Sequence, residues 1–251
     1  MKRNALLGAV VMLAVATVTA ASEATADGGT GPLGVTAVAV ATPQTARVGA
    51  LFTAEDAEAG KFVGQHFCTA SVVRSPHHNL IATAAHCLEG PGEFVFVPGY
   101  HDGHAPYGVW KADRVFLPDG WSKDQDEDSD VAFATLDERQ AKGIEDVVGA
   151  NRFTTGTATG ATPVTVTGYP HAAEESVRCT NRPTPHSPTQ QRIACPGLTS
   201  GTSGSPWVNG DGQVVGVLGG HEQGGDTDDV SYSIVLGAEA AQLYRAATAD
   251  P

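Results

Sequence analysis

From residue 47 onward, short apolar or alternating runs recur between turn-forming residues, at 67–73, 80–84, 94–97, 109–117 and 131–136. A second set follows at 147–153, 164–168, 177–180, 206–208, 214–218 and 230–235. Runs of this length, bounded by turn signals, predict β-strands. The 30 glycines and 15 prolines supply the turns between them. Only the stretch from Glu239 to Ala247, built of Ala, Gln, Leu and Arg, predicts a helix. The pattern therefore predicts an all-β chain of two clusters of short strands with a short C-terminal helix, and shows no internal repeat.

The first residues follow a different pattern. Lys2 and Arg3 precede an apolar stretch over 5–18, and Ala24-Thr25-Ala26 offers a small-x-small cleavage site, with Val18-Thr19-Ala20 as a competitor. Residues 1–26 thus read as a signal peptide, with a membrane anchor as the alternative. Residues 27–46 are rich in Gly, Ala, Thr and Pro without a period, and read as a propeptide or linker, so the structured part is expected to begin near Arg47. Export predicts a secreted, extracellular protein in which the four cysteines form two disulfides, with three pairings open. A formal net charge of −13 argues against nucleic acid or an anionic membrane as partner, because neutralising phosphates requires basic patches. A soluble monomer, free of the membrane once the signal is removed, is expected.

Three segments carry chemistry. Thr83-Ala84-Ala85-His86-Cys87 supplies a base, Gly201-Thr202-Ser203-Gly204-Ser205-Pro206 supplies a nucleophile, and Asp130 ends the acidic run 123–130 immediately before an apolar strand. A serine hydroxyl is a poor nucleophile unless an imidazole accepts its proton and a buried carboxylate holds that imidazole in the right tautomer. Gly201 and Gly204 allow a sharp turn around Ser203, so that the Gly201 and Ser203 N–H groups converge on a developing oxyanion. The order His86, Asp130, Ser203 differs from the Ser, Asp, His order of α/β-hydrolases.

At these residues the chain resembles the chymotrypsin/trypsin-like serine protease family, in particular its bacterial secreted branch with Gly-x-Ser-Gly-Ser-Pro, including glutamyl endopeptidases. The resemblance runs from about residue 47 to 245. It implies two antiparallel six-stranded β-barrels with the active site between them. His86 and Asp130 would come from the first (47–140) and Ser203 from the second (141–251), with the C-terminal helix packed on the second barrel. It implies a secreted serine endopeptidase acting on protein or peptide substrates, with no cofactor and no metal. A catalytically weak binding module and an extracellular esterase are the alternatives. It also implies the bridge Cys68–Cys87 beside His86, which leaves Cys179–Cys195 as the second.

The chain departs from the family in three places. Thr202 replaces the Asp that receives a new N-terminus in trypsin-type zymogens. Gly197 stands where trypsin carries the pocket Asp, so the specificity pocket is expected around Gly197, Gly219, Gly220 and His221, with Asp228 and Asp229 read as surface acids. Leu218 is placed where many relatives carry a Ser that supports the catalytic Asp.

Overall fold

The computed structural model describes residues 32–90 and 92–249; the expected signal peptide, 1–26, lies outside them. Seven strands occupy the first half: β1 (Thr36–Val38), β2 (Val48–Thr53), β3 (Cys68–Val72), β4 (Leu80–Thr83), β5 (Phe94–Pro98), β6 (Trp110–Phe116) and β7 (Ala132–Leu136). Strands β2 to β7 close into a barrel in the order β2-β3-β4-β7-β6-β5, with β2 pairing antiparallel to both β3 and β5. β3, β4, β5 and β7 are buried along their whole length, which explains why they read as continuous apolar runs rather than strict alternations.

The second half is not a closed six-stranded barrel. Its strands are β8 (Arg152–Phe153), β9 (Val164–Gly168), β10 (Val177–Asn181), β11 (Thr184–Pro185), β12 (Gln190–Ala194), β13 (Pro206–Asn209), β14 (Gln213–Val217) and β15 (Val230–Ile234). They form a six-stranded sheet, β1-β10-β9-β13-β14-β8, and a separate three-stranded sheet, β11-β12-β15. One pair, β8 with β14, is parallel. Where β14 faces β15, a single backbone bond, from the Gly219 N–H to the Tyr232 carbonyl (3.0 Å), is supplemented by side chains in place of a ladder. Ser233 Oγ accepts from the Val217 N–H (2.9 Å), and the buried Gln191 amide donates to the carbonyls of Val215 (3.2 Å) and Ile234 (3.3 Å). At the opposite seam the Cys179–Cys195 disulfide and the Asn181 amide, which donates to the Ala194 carbonyl (2.6 Å), join β10 to the end of β12. The expected second barrel is therefore two sheets closed by side chains.

Three further expectations are corrected. Structure begins before Arg47: β1, inside the stretch read as propeptide or linker, is the edge strand of the six-stranded sheet, paired with β10 (Thr36 opposite Cys179), and Ala46 is buried. Residues 147–153 are not one strand. Instead a helix (Ile144–Val148) starts at Gly143, whose N–H donates to Asp146 Oδ2 (3.1 Å), and only Arg152–Phe153 pair in a sheet. The C-terminal helix (Ala238–Ala249) lies on the first barrel rather than the second. Its Tyr244 ring meets Phe133 of β7 (5.5 Å between centroids) and Phe153 (5.1 Å), and its hydroxyl donates to the Arg74 carbonyl (2.5 Å). Ala240 and Ala247 are the buried residues of the helix, and the partly buried Tyr244 and Leu243 pack against the same core.

Candidate active site

His86 opens a short 3-10 turn (His86–Leu88) directly after β4, and Asp130 follows another (Glu127–Ser129) directly before β7. Because β4 and β7 are neighbours, with Thr83 opposite Ala132, the barrel brings the two residues together. Asp130 is fully buried. Its Oδ2 accepts from His86 Nδ1 (2.8 Å) and from the Gly220 N–H (2.7 Å), and its Oδ1 accepts from the His86 backbone N–H (3.0 Å). A buried carboxylate is tolerated only when its oxygens are bonded in this way. Since the carboxylate can only accept, Nδ1 of His86 carries the proton and Nε2 is left for other chemistry. Trp121, buried with Ala85 and Ala132, lies 6.4 Å from the His86 ring and shields the pair.

Leu218 does not face Asp130. Its side chain is buried in the core of the second half, and Gly219 is the residue against the carboxylate: a Cβ there would come within 2.5 Å of Asp130 Oδ2. The donor expected from a side chain comes from the Gly220 backbone instead.

Ser203 sits on the loop before β13, held to the first barrel by Thr69. The Thr69 N–H donates to the Ser203 carbonyl (2.8 Å), and its hydroxyl donates to the Gly201 carbonyl (3.0 Å) and accepts from the Tyr169 N–H (2.9 Å). Gly204 has φ +84°, and a Cβ would lie 2.1 Å from both the Thr69 carbonyl and Thr83 Oγ1. Gly201 has φ +94°, and a Cβ would lie 2.7 Å from the Tyr169 carbonyl. Both positions exclude any other residue. Among the described residues, the N–H groups of Gly201 and Ser203 take no partner, which leaves both available to an oxygen. Thr202 is buried and its hydroxyl donates to the Thr199 carbonyl (2.7 Å), so the position before Ser203 offers no carboxylate to a chain terminus.

His86 and Ser203 line one cleft of about 410 Å³, together with Ser200, Gly201, Glu89 and Gln223. The Cys68–Cys87 bridge forms its floor, tying the start of β3 to the residue after His86. His86, Cys68 and Cys87 bring their donor atoms within 4.8 Å of one another, but the disulfide commits both sulfurs. Of the residues expected in a specificity pocket, Gly219 and Gly220 flank Asp130, while the Gly197 N–H donates to the Asp228 carbonyl (2.7 Å). His221 turns toward Glu127, with Nδ1 3.4 Å from Oε2, and packs on His186 at 4.7 Å. Asp228 and Asp229 are exposed. Sequence reasoning missed Trp121 and Thr69; a polar residue that is buried, as Thr69 is, leaves no periodic signal.

A trypsin-like peptidase domain matches residues 68–217, more than half of the chain, and the protein belongs to that family. The protease Anisep from Arthrobacter nicotinovorans is similar in structure, with 28% identity, TM-score 0.70, and coverage of 82% of this chain and 97% of that one. The thermostable serine protease AL20 from an extremophilic microorganism matches at 28% identity and TM-score 0.71, covering 84% and 100%. A Glu endopeptidase shares the fold at 20% identity and TM-score 0.68, covering 88% and 99%. No curated protein sequence matches the chain.

Proposed function

We propose that the protein is a secreted serine endopeptidase that hydrolyses peptide bonds through an acyl-enzyme. Ser203 Oγ attacks the scissile carbonyl while Nε2 of His86 takes its proton and then delivers it to the leaving amine. Asp130 holds the imidazole by Nδ1 and stabilises the cation that forms. The Gly201 and Ser203 N–H groups receive the oxyanion, in positions fixed before substrate arrives. Water then repeats the cycle on the acyl-enzyme.

The observation that carries this reading is the buried, triply bonded Asp130 behind a histidine that shares its cleft with Ser203. Membership of the trypsin-like peptidase family supports it. Two disulfides fit an oxidising, extracellular compartment. Incubation of one sample with a fluorophosphonate, and cleavage profiling of an untreated sample on a peptide library, test the proposal. Stoichiometric labelling of Ser203 with peptide turnover is expected. Labelling without peptide turnover but with ester hydrolysis would make it an esterase, and the absence of labelling would leave a binding module.

A further inference from the structure

The donor that Gly220 gives to Asp130 depends on an unusual backbone. Gly220 has φ 78° and ψ −129°, and Glu222 and Gln223 beyond it are both left-handed, at φ 50° and 53°. Left-handed conformations of non-glycine residues persist only where their surroundings hold them. The hold comes from Gln190 on β12. This side chain is only 4% exposed, and its Nε2 donates to the Glu127 carbonyl (3.0 Å) and to Asp128 Oδ1 (2.8 Å). Its Oε1 accepts from the His221 N–H (3.4 Å) and packs so closely on Gly220 that a Cβ there would lie 2.5 Å away. Glu127 adds a second strut, its Oε1 accepting from the Glu222 N–H (3.1 Å).

One amide therefore spans the segment entering Asp130 and the segment leaving Gly220. Its two donors and one acceptor match the three groups presented to it. With glycine at 219 no side-chain hydroxyl can replace the Gly220 N–H, so the spacing of these segments decides whether Asp130 Oδ2 keeps its second donor.

We infer that Gln190 is a positioning residue for the proposed reaction, acting through Asp130 by fixing Gly220 against it. The inference rests on the triad reading above. It concerns a residue that touches neither substrate nor His86.

The test is a double-mutant cycle of kcat and KM on one peptide substrate, using wild type, Gln190→Met, Asp130→Asn and the double variant. Methionine keeps the length and bulk of glutamine without its hydrogen bonds. Gln190→Met is expected to lower kcat by about 10- to 100-fold with KM within about twofold, and to cost less than about twofold when Asp130 is already Asn. An unchanged kcat, an equal loss in both backgrounds, or a loss confined to KM would overturn the inference. If Asp130→Asn itself kept full activity, the triad reading would fall first.

Should Gln190→Met fail to fold by circular dichroism, the exposed end of the contact decides. Asp128→Ala removes an acceptor of Gln190 and is expected to lower kcat by about threefold, whereas Asp128→Asn keeps the acceptor and most of the activity. Equal kcat in the two Asp128 variants would overturn the inference.

Discussion

The two halves of the molecule close by different means. Around the first, backbone ladders close the whole ring, with one register shift between β6 and β7, and His86 and Asp130 sit at the ends of its adjacent strands β4 and β7. The second half has two seams, closed by Gln191 and Ser233 on one side and by Cys179–Cys195 and Asn181 on the other. Charge needs a rigid seat, because a buried carboxylate tolerates little displacement from its donors. Ser203 and its N–H groups come from the looser half and reach the same rigidity only by leaning on Thr69 of the first.

The largest effects should come from breaking the charged seat or the nucleophile. Ser203→Ala is expected to lower kcat by about 10⁴-fold or more, His86→Ala to add little to it, and Asp130→Asn to cost about 10³- to 10⁴-fold. Asp124→Asn and Asp126→Asn, in the same acidic run, should stay within about twofold. Steady-state kinetics on one peptide checks all five, and equal losses along the acidic run would remove Asp130 from its role. Next is the contact between halves. Gly204→Ala places a methyl group against the Thr69 carbonyl and is expected to destabilise by about 3 kcal/mol or more, lowering Tm by roughly 6–12 °C. Thermal unfolding followed by circular dichroism measures it.

The disulfides sharpen the contrast. Replacing either cysteine pair by alanine should cost about 3 kcal/mol, since both close short loops. Below the melting range the outcomes should diverge: loss of Cys68–Cys87 frees the turn carrying His86 and lowers kcat, while loss of Cys179–Cys195 opens a seam and leaves kcat near wild type. Gln191→Leu should act on the other seam alone, costing about 1–3 kcal/mol by removing its bonds to the Val215 and Ile234 carbonyls, the second of which keeps Ser233 Oγ as a donor. Hydrogen exchange should then show β12 and β15 opening ahead of β2–β7; uniform loss of protection would contradict a side-chain seam.

The smallest effect is a pH dependence at the junction. His66 is fully buried, its Nε2 bonded to the Pro170 carbonyl (3.1 Å), and burial holds its pKa below the ordinary histidine value. Protonation therefore favours the unfolded chain, so the stability His66 contributes is complete above about pH 6.5 and declines as pH falls below it. His66→Gln should flatten the difference in denaturation midpoint between pH 7 and pH 5; an unchanged slope would assign the acid sensitivity elsewhere.

Much of this was readable from residue types alone. β3, β4, β5 and β7 announce themselves because they are buried throughout, and the triad segments because a turn, a histidine or a serine sits where an apolar run ends. β12 stayed hidden because it opens with Gln190 and Gln191, two polar residues whose side chains are buried to bridge other segments, so that no apolar period marks it. The residue facing Asp130 was displaced by one, from Gly219 to Leu218, since in a run of Leu and two glycines only the strand register tells which position points where. β1 escaped notice for a related reason: an edge strand of three residues rests on its partner β10 rather than on a pattern of its own.

Thr69 has a consequence for how such a protein can be recombined. A single residue of the first barrel serves the Ser203 carbonyl, the Gly201 carbonyl and the Tyr169 N–H, while its own carbonyl accepts from Thr83 Oγ1 (2.8 Å). Apart from β1 the halves are consecutive in the chain, yet they are not interchangeable modules. A chimera that takes its C-terminal half from a distant relative inherits a serine loop shaped against a different residue at this position. Crossovers should therefore succeed only when the donor of the second half also supplies the residues that stand at 69 and 83.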